Sequence, residues 1–338
     1  MRKLLYALAA GMLLITSWAH AAPELRSDHP ERYTVVKGDT LWDISARFLN
    51  NPWFWPEIWH VNPQVKNPHL IYPGDRLALV YIDGQPRVTK VASKGVVKLS
   101  PEIRSEPIET PIPAIPLDAI NSFLSDTRIV DVEELNGAPY VLEGEDGRII
   151  TGAGDKVYAR GKKPADTVGV FRRSQEFYDP DTGEFLGLEA RSVGSGQITA
   201  QHNDVLTMTL KKSNQEVRIG DRLLVSEERR ITTSFVPSPP SGDIEGQMIS
   251  VEGGVTQIGQ FNVVAINRGT REGLEPGNVL AVLKSGNLVR DPVTGESIEL
   301  PSERAGLLMV FQAYEKMSYG LVLQASRPLS VGDKVTNP

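Results

Sequence analysis

Two hexapeptides constrain this chain most. DPDTGE begins at Asp179 and DPVTGE at Asp291, and forty residues after each start comes a second shared signature, IGDRL from Ile219 and VGDKV from Val331. Two signatures recurring at one interval mark a duplicated structural unit. D-P-x-T-G is tight-hairpin chemistry, because proline pre-sets φ at a turn position and glycine supplies a positive φ. The runs VLTMTLKK from Val205, GLLMVFQAY from Gly306 and YGLVLQAS from Tyr319 are rich in strand-favouring residues. Glycine turns leading into GDKVYA at Gly154 and GNVLAV at Gly277 read as equivalent points of the two copies. The expectation is two β-rich modules, barrel- or sandwich-like, over residues 121–230 and 246–338. A linker over 231–245 joins them, within which SFVPSPPSGD, Ser234 to Asp243, reads as a hinge.

The N-terminal third follows different rules. Of the five tryptophans, all but Trp18 lie between Trp42 and Trp59, in WDISARFLNNPWFWPEIW. YTVV from Tyr33 and RLALVYI from Arg76 favour strands, and two helical patterns stand between them. Leu41, Ile44, Ser45 and Phe48 recur at helical spacing, with Thr40 and Asp43 placed as a capping box. Trp55, Ile58, Trp59 and Asn62 form a second stripe, which Asn62-Pro63 should end. A small βααβ domain over 33–81 is expected, making the chain α+β and β, multidomain. Residues 82–120 carry prolines at 101, 107, 111, 113 and 116 and read as a Pro-rich spacer. Val96, Val97, Ile103, Ile108, Ile112 and Ile115 are more apolar than a free linker needs, so part of the spacer is expected to be ordered against a neighbour.

The first residues, MRKLLYALAAGMLLITSWAHA, combine a basic start, a short apolar run and an Ala19-His20-Ala21 cleavage pattern, so residues 1–21 are expected to be a signal peptide. No other stretch approaches the ~20 apolar residues of a transmembrane helix. Removal of Arg2 and Lys3 takes the formal charge from −6 to −8, which argues against a nucleic-acid partner. The chain has no cysteine, and the histidines beyond residue 21, His29, His60, His69 and His202, show no H-E-x-x-H or other zinc spacing. Thiol and metallopeptidase chemistry, a G-x-S-x-G serine nucleophile and a Walker loop are all missing. The glycine clusters at Gly152 to Gly154 and Gly194 to Gly196 read as turns. No catalytic residue, cofactor or metal is expected.

The block YTVVKGDTLWDISARFLNNPWFWPEIWHVNPQVKNPHLIYPGDRLALV resembles the LysM domain. That resemblance implies binding to N-acetylglucosamine-containing glycan strands of peptidoglycan. Its groove maps here onto Gly38, Asp39, Thr40 and Leu41 on one side and Asn62, Pro63 and Ile71 on the other. Trp42 is added as the tryptophan nearest that groove, with Trp55 assigned to the core. The whole chain is also similar to LysM proteins associated with the outer-membrane secretin of type IV pili (TsaP-like), through VVKLSPEIR, GDKVYARG, FNVVAINRGTREGLEPGNVLAV and DPVTGE. This implies a periplasmic, wall-associated protein, peripheral to the outer membrane, with a secretin partner. A LysM-targeted wall-remodelling enzyme, or a component of another envelope machine such as a flagellar basal-body ring, remains an alternative at this point.

Overall fold

A computed structural model of the chain describes residues 23–59, 71–91, 112–116, 120, 123, 127–226, 235–254, 257–286 and 288–338. The expected signal peptide, His60, Asn62, Pro63 and the spacer from residue 92 to 111 lie outside the described residues. The chain forms two compact units, Met1–Pro111 and Ile112–Pro338.

In the first unit, β1 (Arg32–Thr34), β2 (Arg76–Ile82) and β3 (Gln85–Lys90) make an antiparallel sheet in that order. Helix α1 (Leu41–Phe48) buries Leu41, Ile44 and Phe48. Its capping box is present: the Asp43 amide donates to Thr40 Oγ1 at 3.1 Å, and the Thr40 amide donates back to Asp43 Oδ2 at 3.2 Å. A single 3₁₀ turn, Pro52–Phe54, then leads into α2 (Trp55–Ile58). Two expectations change here. Helix α2 stops at Ile58, because Trp59 turns extended and bridges Val88. The spacer does not begin at residue 82, since Asp83 and Gly84, both at positive φ, turn the chain back into β3. Asp-Gly is a preferred two-residue turn whose twist matches the flanking strands.

The second unit holds both β modules. The first contains β4 (Thr127–Val130), α3 (Val132–Gly137), β5 (Tyr140–Gly144), β6 (Ile150–Thr151), β7 (Lys156–Arg160), β8 (Thr167–Tyr178), β9 (Phe185–His202), β10 (Val205–Ser213), β11 (Val217–Arg218) and β12 (Arg222–Val225). The second contains β13 (Glu245–Val251), β14 (Val263–Ile266), β15 (Val279–Lys284), β16 (Leu288–Arg290), β17 (Ser297–Glu299), β18 (Glu303–Ala313), β19 (Ser318–Ala325) and β20 (Lys334–Thr336).

The pairings of the second module close a barrel in the order β13-β14-β19-β18-β15-β20. In the first, the pairing of β10 with β9 closes the ring β5-β7-β10-β9-β8-β12, and β4 adds to the outside of β9. Taken in chain order, the six strands of each ring are arranged identically, so the duplication seen in the hexapeptides is a duplication of topology. DPDTGE caps the β8–β9 hairpin and DPVTGE the hairpin between β16 and β17, which prolong β15 and β18. IGDRL and VGDKV open the last ring strand of each copy. GDKVYA and GNVLAV are not equivalent, however: β7 is the second strand of its ring and β15 the third of its own.

One turn recurs through both units. The side chain of Asp39, Asp75, Asp155, Asp221, Asn262, Asn278 or Asp333 accepts a hydrogen bond from the amide three residues earlier. The residue before each acceptor stands at positive φ, six times glycine and once Phe261. The GD and GN dipeptides ending at Asp39, Asp75, Asp155, Asp221, Asn278 and Asp333 are therefore turn chemistry. By contrast, Gly194 and Gly196 lie inside β9, where a Cβ would strike the Lys212 and Thr209 carbonyls of β10. They permit close strand approach, not a turn.

Within the stretch expected to be a hinge, residues 235–243 are ordered against the fold. Phe235 is buried, and Ser238 pairs with the β15 entrance through Gly277 and Val279. Ile112, Ile115, Ile120 and Phe123 are likewise buried, the aromatic ring of Phe123 packing edge-on against Phe311 and Tyr319.

Candidate functional site

The candidate site of the first unit is built from two loops, residues 35–40 before α1 and residues 71–75 before β2. They are joined by backbone: the Val35 amide donates to the Asp75 carbonyl at 2.9 Å, and the Gly74 amide donates to the Val35 carbonyl at 2.7 Å. Each loop carries the recurrent turn. In the first, Asp39 Oδ2 accepts from the Val36 amide and from the Tyr33 hydroxyl, both at 2.9 Å. Burial, together with that bond to a carboxylate, raises the Tyr33 hydroxyl's pKa above its ordinary value, so it stays a donor. The Arg47 guanidinium lies over the Tyr33 ring, 4.6 Å from its centroid. In the second loop, Asp75 Oδ2 accepts from the Tyr72 amide at 3.0 Å, and Lys90 lies 2.6 Å from the other Asp75 oxygen.

These contacts sort the residues expected at the groove. Gly38 is exposed, at φ 99°. Asp39 and Thr40 are buried and committed to the loop and the helix cap, while Leu41 and Ile71 are buried in the core beneath. Asn62 and Pro63 lie outside the described residues. Trp42 requires a correction: it is 2% exposed, so it offers no open ring face, and the side of α1 that carries it faces inward. Trp53, Trp55 and Trp59 are buried as well. The tryptophan cluster is the core that a domain of this size needs.

Two accessible groups at these loops escape helical and motif reasoning. Val36 is 54% exposed beside Gly38, and the ring of Tyr72 is only half-buried. Period-two alternation in YTVV holds the signal for the first: Val35 points in and Val36 out. Backbone amides and carbonyls of two clamped loops, with Val36 and Tyr72 beside them, can bind a ligand that offers both amide groups and apolar ring faces. Among the described residues no cluster of three or more His, Asp or Glu could hold a metal.

Residues 33–79 match the LysM domain family. The chain is also 38% identical over 60 residues to an uncharacterized protein YqbP of Bacillus subtilis (strain 168). That match covers 15% of this chain and 27% of the relative, so the chain spans well under two thirds of that protein's length.

The N-terminal βααβ fold is thus a LysM domain, a peptidoglycan- or carbohydrate-binding module with no catalytic role of its own. It is followed by a strand-rich body of two barrels. Among the described residues no helix is long and apolar enough to cross a membrane.

Proposed function

We propose that this chain is a non-catalytic, periplasmic, wall-associated protein that tethers an outer-membrane assembly to peptidoglycan, and that the assembly is the secretin of the type IV pilus. The observation that carries the wall-binding half is the LysM match over 33–79, together with the clamped loop pair at Val35, Gly74 and Asp75. In this reading, N-acetylglucosamine units lie along Gly38 to Leu41 and Ile71 and are also contacted by Asn62 and Pro63. The acetamido groups meet loop backbone while Val36 and Tyr72 contact the ring faces. Asp39 acts by holding the loop.

The secretin half is supported by the likeness of the whole chain to secretin-associated LysM proteins and by the two barrels, which offer a large protein surface after a Pro-rich connection. A weak glycan contact that keeps the barrels near the wall raises their effective concentration for a second contact. The leader-like first 21 residues fit export to the periplasm.

The test is retention of the secretin on the wall. Sacculi from cells carrying the full chain should retain secretin after gentle detergent extraction, and sacculi from cells lacking residues 33–79 should lose it. Equal retention in both would contradict the tether, and retention of a different envelope ring alone would reassign the partner.

A further inference from the structure

The contact between the two barrels has a counterpart that is left open. The DPDTGE arm of the first barrel docks on the β14–β15 connection of the second. Asp179 Oδ2 accepts from Asn267 Nδ2 at 3.0 Å and from Arg268 Nη1 at 3.1 Å, and Glu184 takes a bidentate pair from Arg271 at 2.8 and 2.9 Å. Lys316 lies 3.0 Å from Glu184, and the Asp181 carboxylate accepts from the Gln247 side-chain Nε2.

The DPVTGE arm of the second barrel repeats that tip bond for bond. Asp291 Oδ1 accepts from the Val293 and Thr294 amides as Asp179 Oδ1 does from Asp181 and Thr182. The Gly295 amide donates to the Asp291 carbonyl as Gly183 does to Asp179, and both glycines stand at positive φ. Yet this arm rests on nothing among the described residues. Val293, in the place of Asp181, is 90% exposed, and Val289, Ile298 and Leu300 are exposed beside it. A projecting hairpin with an apolar edge and a carboxylate at each end of its tip is an interface without its partner.

The receiving face recurs too. The equivalent of the β14–β15 connection in the first barrel is the β7–β8 connection, Gly161 to Asp166, at the opposite end of that barrel from its own arm. There Arg128, Lys162 and Lys163, with Glu134, Pro139 and Val225, border an open groove of about 420 Å³, in which Glu134 pairs with Arg128 and Lys163 with Asp166. This shorter connection carries Lys162 and Lys163 where the longer one carries Arg268 and Arg271, and Val225 is an exposed apolar side chain able to meet Val293.

We propose that the DPVTGE arm of one copy docks into the Lys162–Lys163 groove of a second copy, so that the chain associates head to tail. The occupant is argued from the intramolecular contact between the same two elements and from charge, the Asp291 and Glu296 carboxylates of the arm meeting a groove whose cations Arg128, Lys162 and Lys163 outnumber its carboxylates Glu134 and Asp166. Each copy presents one arm and one groove, a heterologous contact that propagates into a ring or filament. The proposal does not depend on glycan or secretin binding.

Sedimentation velocity on the chain from Ala22 tests it over a concentration series reaching about 1 mM, the scale of effective concentration that the intramolecular contact enjoys. The expected result is growth beyond a dimer. An arm variant, Val293→Asp with Glu296→Lys, and a groove variant, Lys162→Glu with Lys163→Glu, should each weaken association by about tenfold or more. All four positions are on the surface, and circular dichroism checks that both variants fold. An equal mixture of wild-type chain with either variant should cap growth by blocking one end. A monomer at all concentrations, or association that survives both variants, would overturn the proposal.

Discussion

The Asp179 carboxylate of the first barrel accepts a hydrogen bond from the Asn267 side-chain amide of the second at 3.0 Å, and both groups are buried. Burial alone would favour the protonated acid, but the Thr182 and Asp181 amides and Arg268 hold its pKa below the ordinary value. The charge is thus fully used, half for the turn and half for the junction. Asp179→Asn keeps a turn acceptor but sets a second amide against Asn267 and removes the carboxylate partner of Arg268, so it should cost about 2–4 kcal/mol in urea unfolding followed by far-UV circular dichroism. Asp291→Asn, at the undocked arm, should cost under about 1 kcal/mol.

Acid should loosen the same junction. The Arg271 guanidinium and then Lys316 draw the Glu184 pKa down from 4.5 to about 2. A depressed carboxylate stabilises the folded state above its unfolded pKa, and that contribution is lost as pH falls from about 4.5 through about 2. In an acid titration, Glu184→Gln should therefore differ from the native chain at neutral pH and converge with it toward pH 2.

Tryptophan fluorescence isolates the first unit, because in a chain beginning at Ala22 every tryptophan lies between Trp42 and Trp59. Thr40→Ala removes the α1 cap and should lower the stability of the fluorescence-detected transition by about 1 kcal/mol. The strand signal of the barrels should be unchanged.

The recurrent turn predicts a contrast within one tetrapeptide. Gly154 stands at φ 93° with open space around it, whereas Gly152 has an ordinary φ and equally open space. Gly154→Ala should cost about 1–2 kcal/mol through backbone strain alone. Gly152→Ala should be neutral or stabilising by up to about 1 kcal/mol in the same urea assay.

The parts that local chemistry decides were readable from sequence. Thr40 and Asp43 announced the α1 cap, and the paired hexapeptides announced a duplicated β fold. What required three dimensions was which turns correspond. GDKVYA and GNVLAV look alike because Asp155 and Asn278 close the same turn, yet that turn precedes different ring strands. The inward-facing Trp42 was hidden for a related reason, since a tryptophan beside a loop motif looks the same in sequence whether its ring faces core or solvent. Ser234 to Asp243 read as a hinge because proline and serine say nothing about a neighbouring strand edge, here the Gly277–Val279 backbone that Ser238 engages.

The most direct test is a pelleting assay with purified peptidoglycan sacculi, comparing the chain from Ala22 with one lacking residues 33–79. The account predicts that the full chain sediments with sacculi in a saturable manner, that soluble N-acetylglucosamine oligomers compete it off, that no muropeptides are released, and that the deletion abolishes sedimentation. Failure of the full chain to sediment, or sedimentation that survives the deletion, would contradict it.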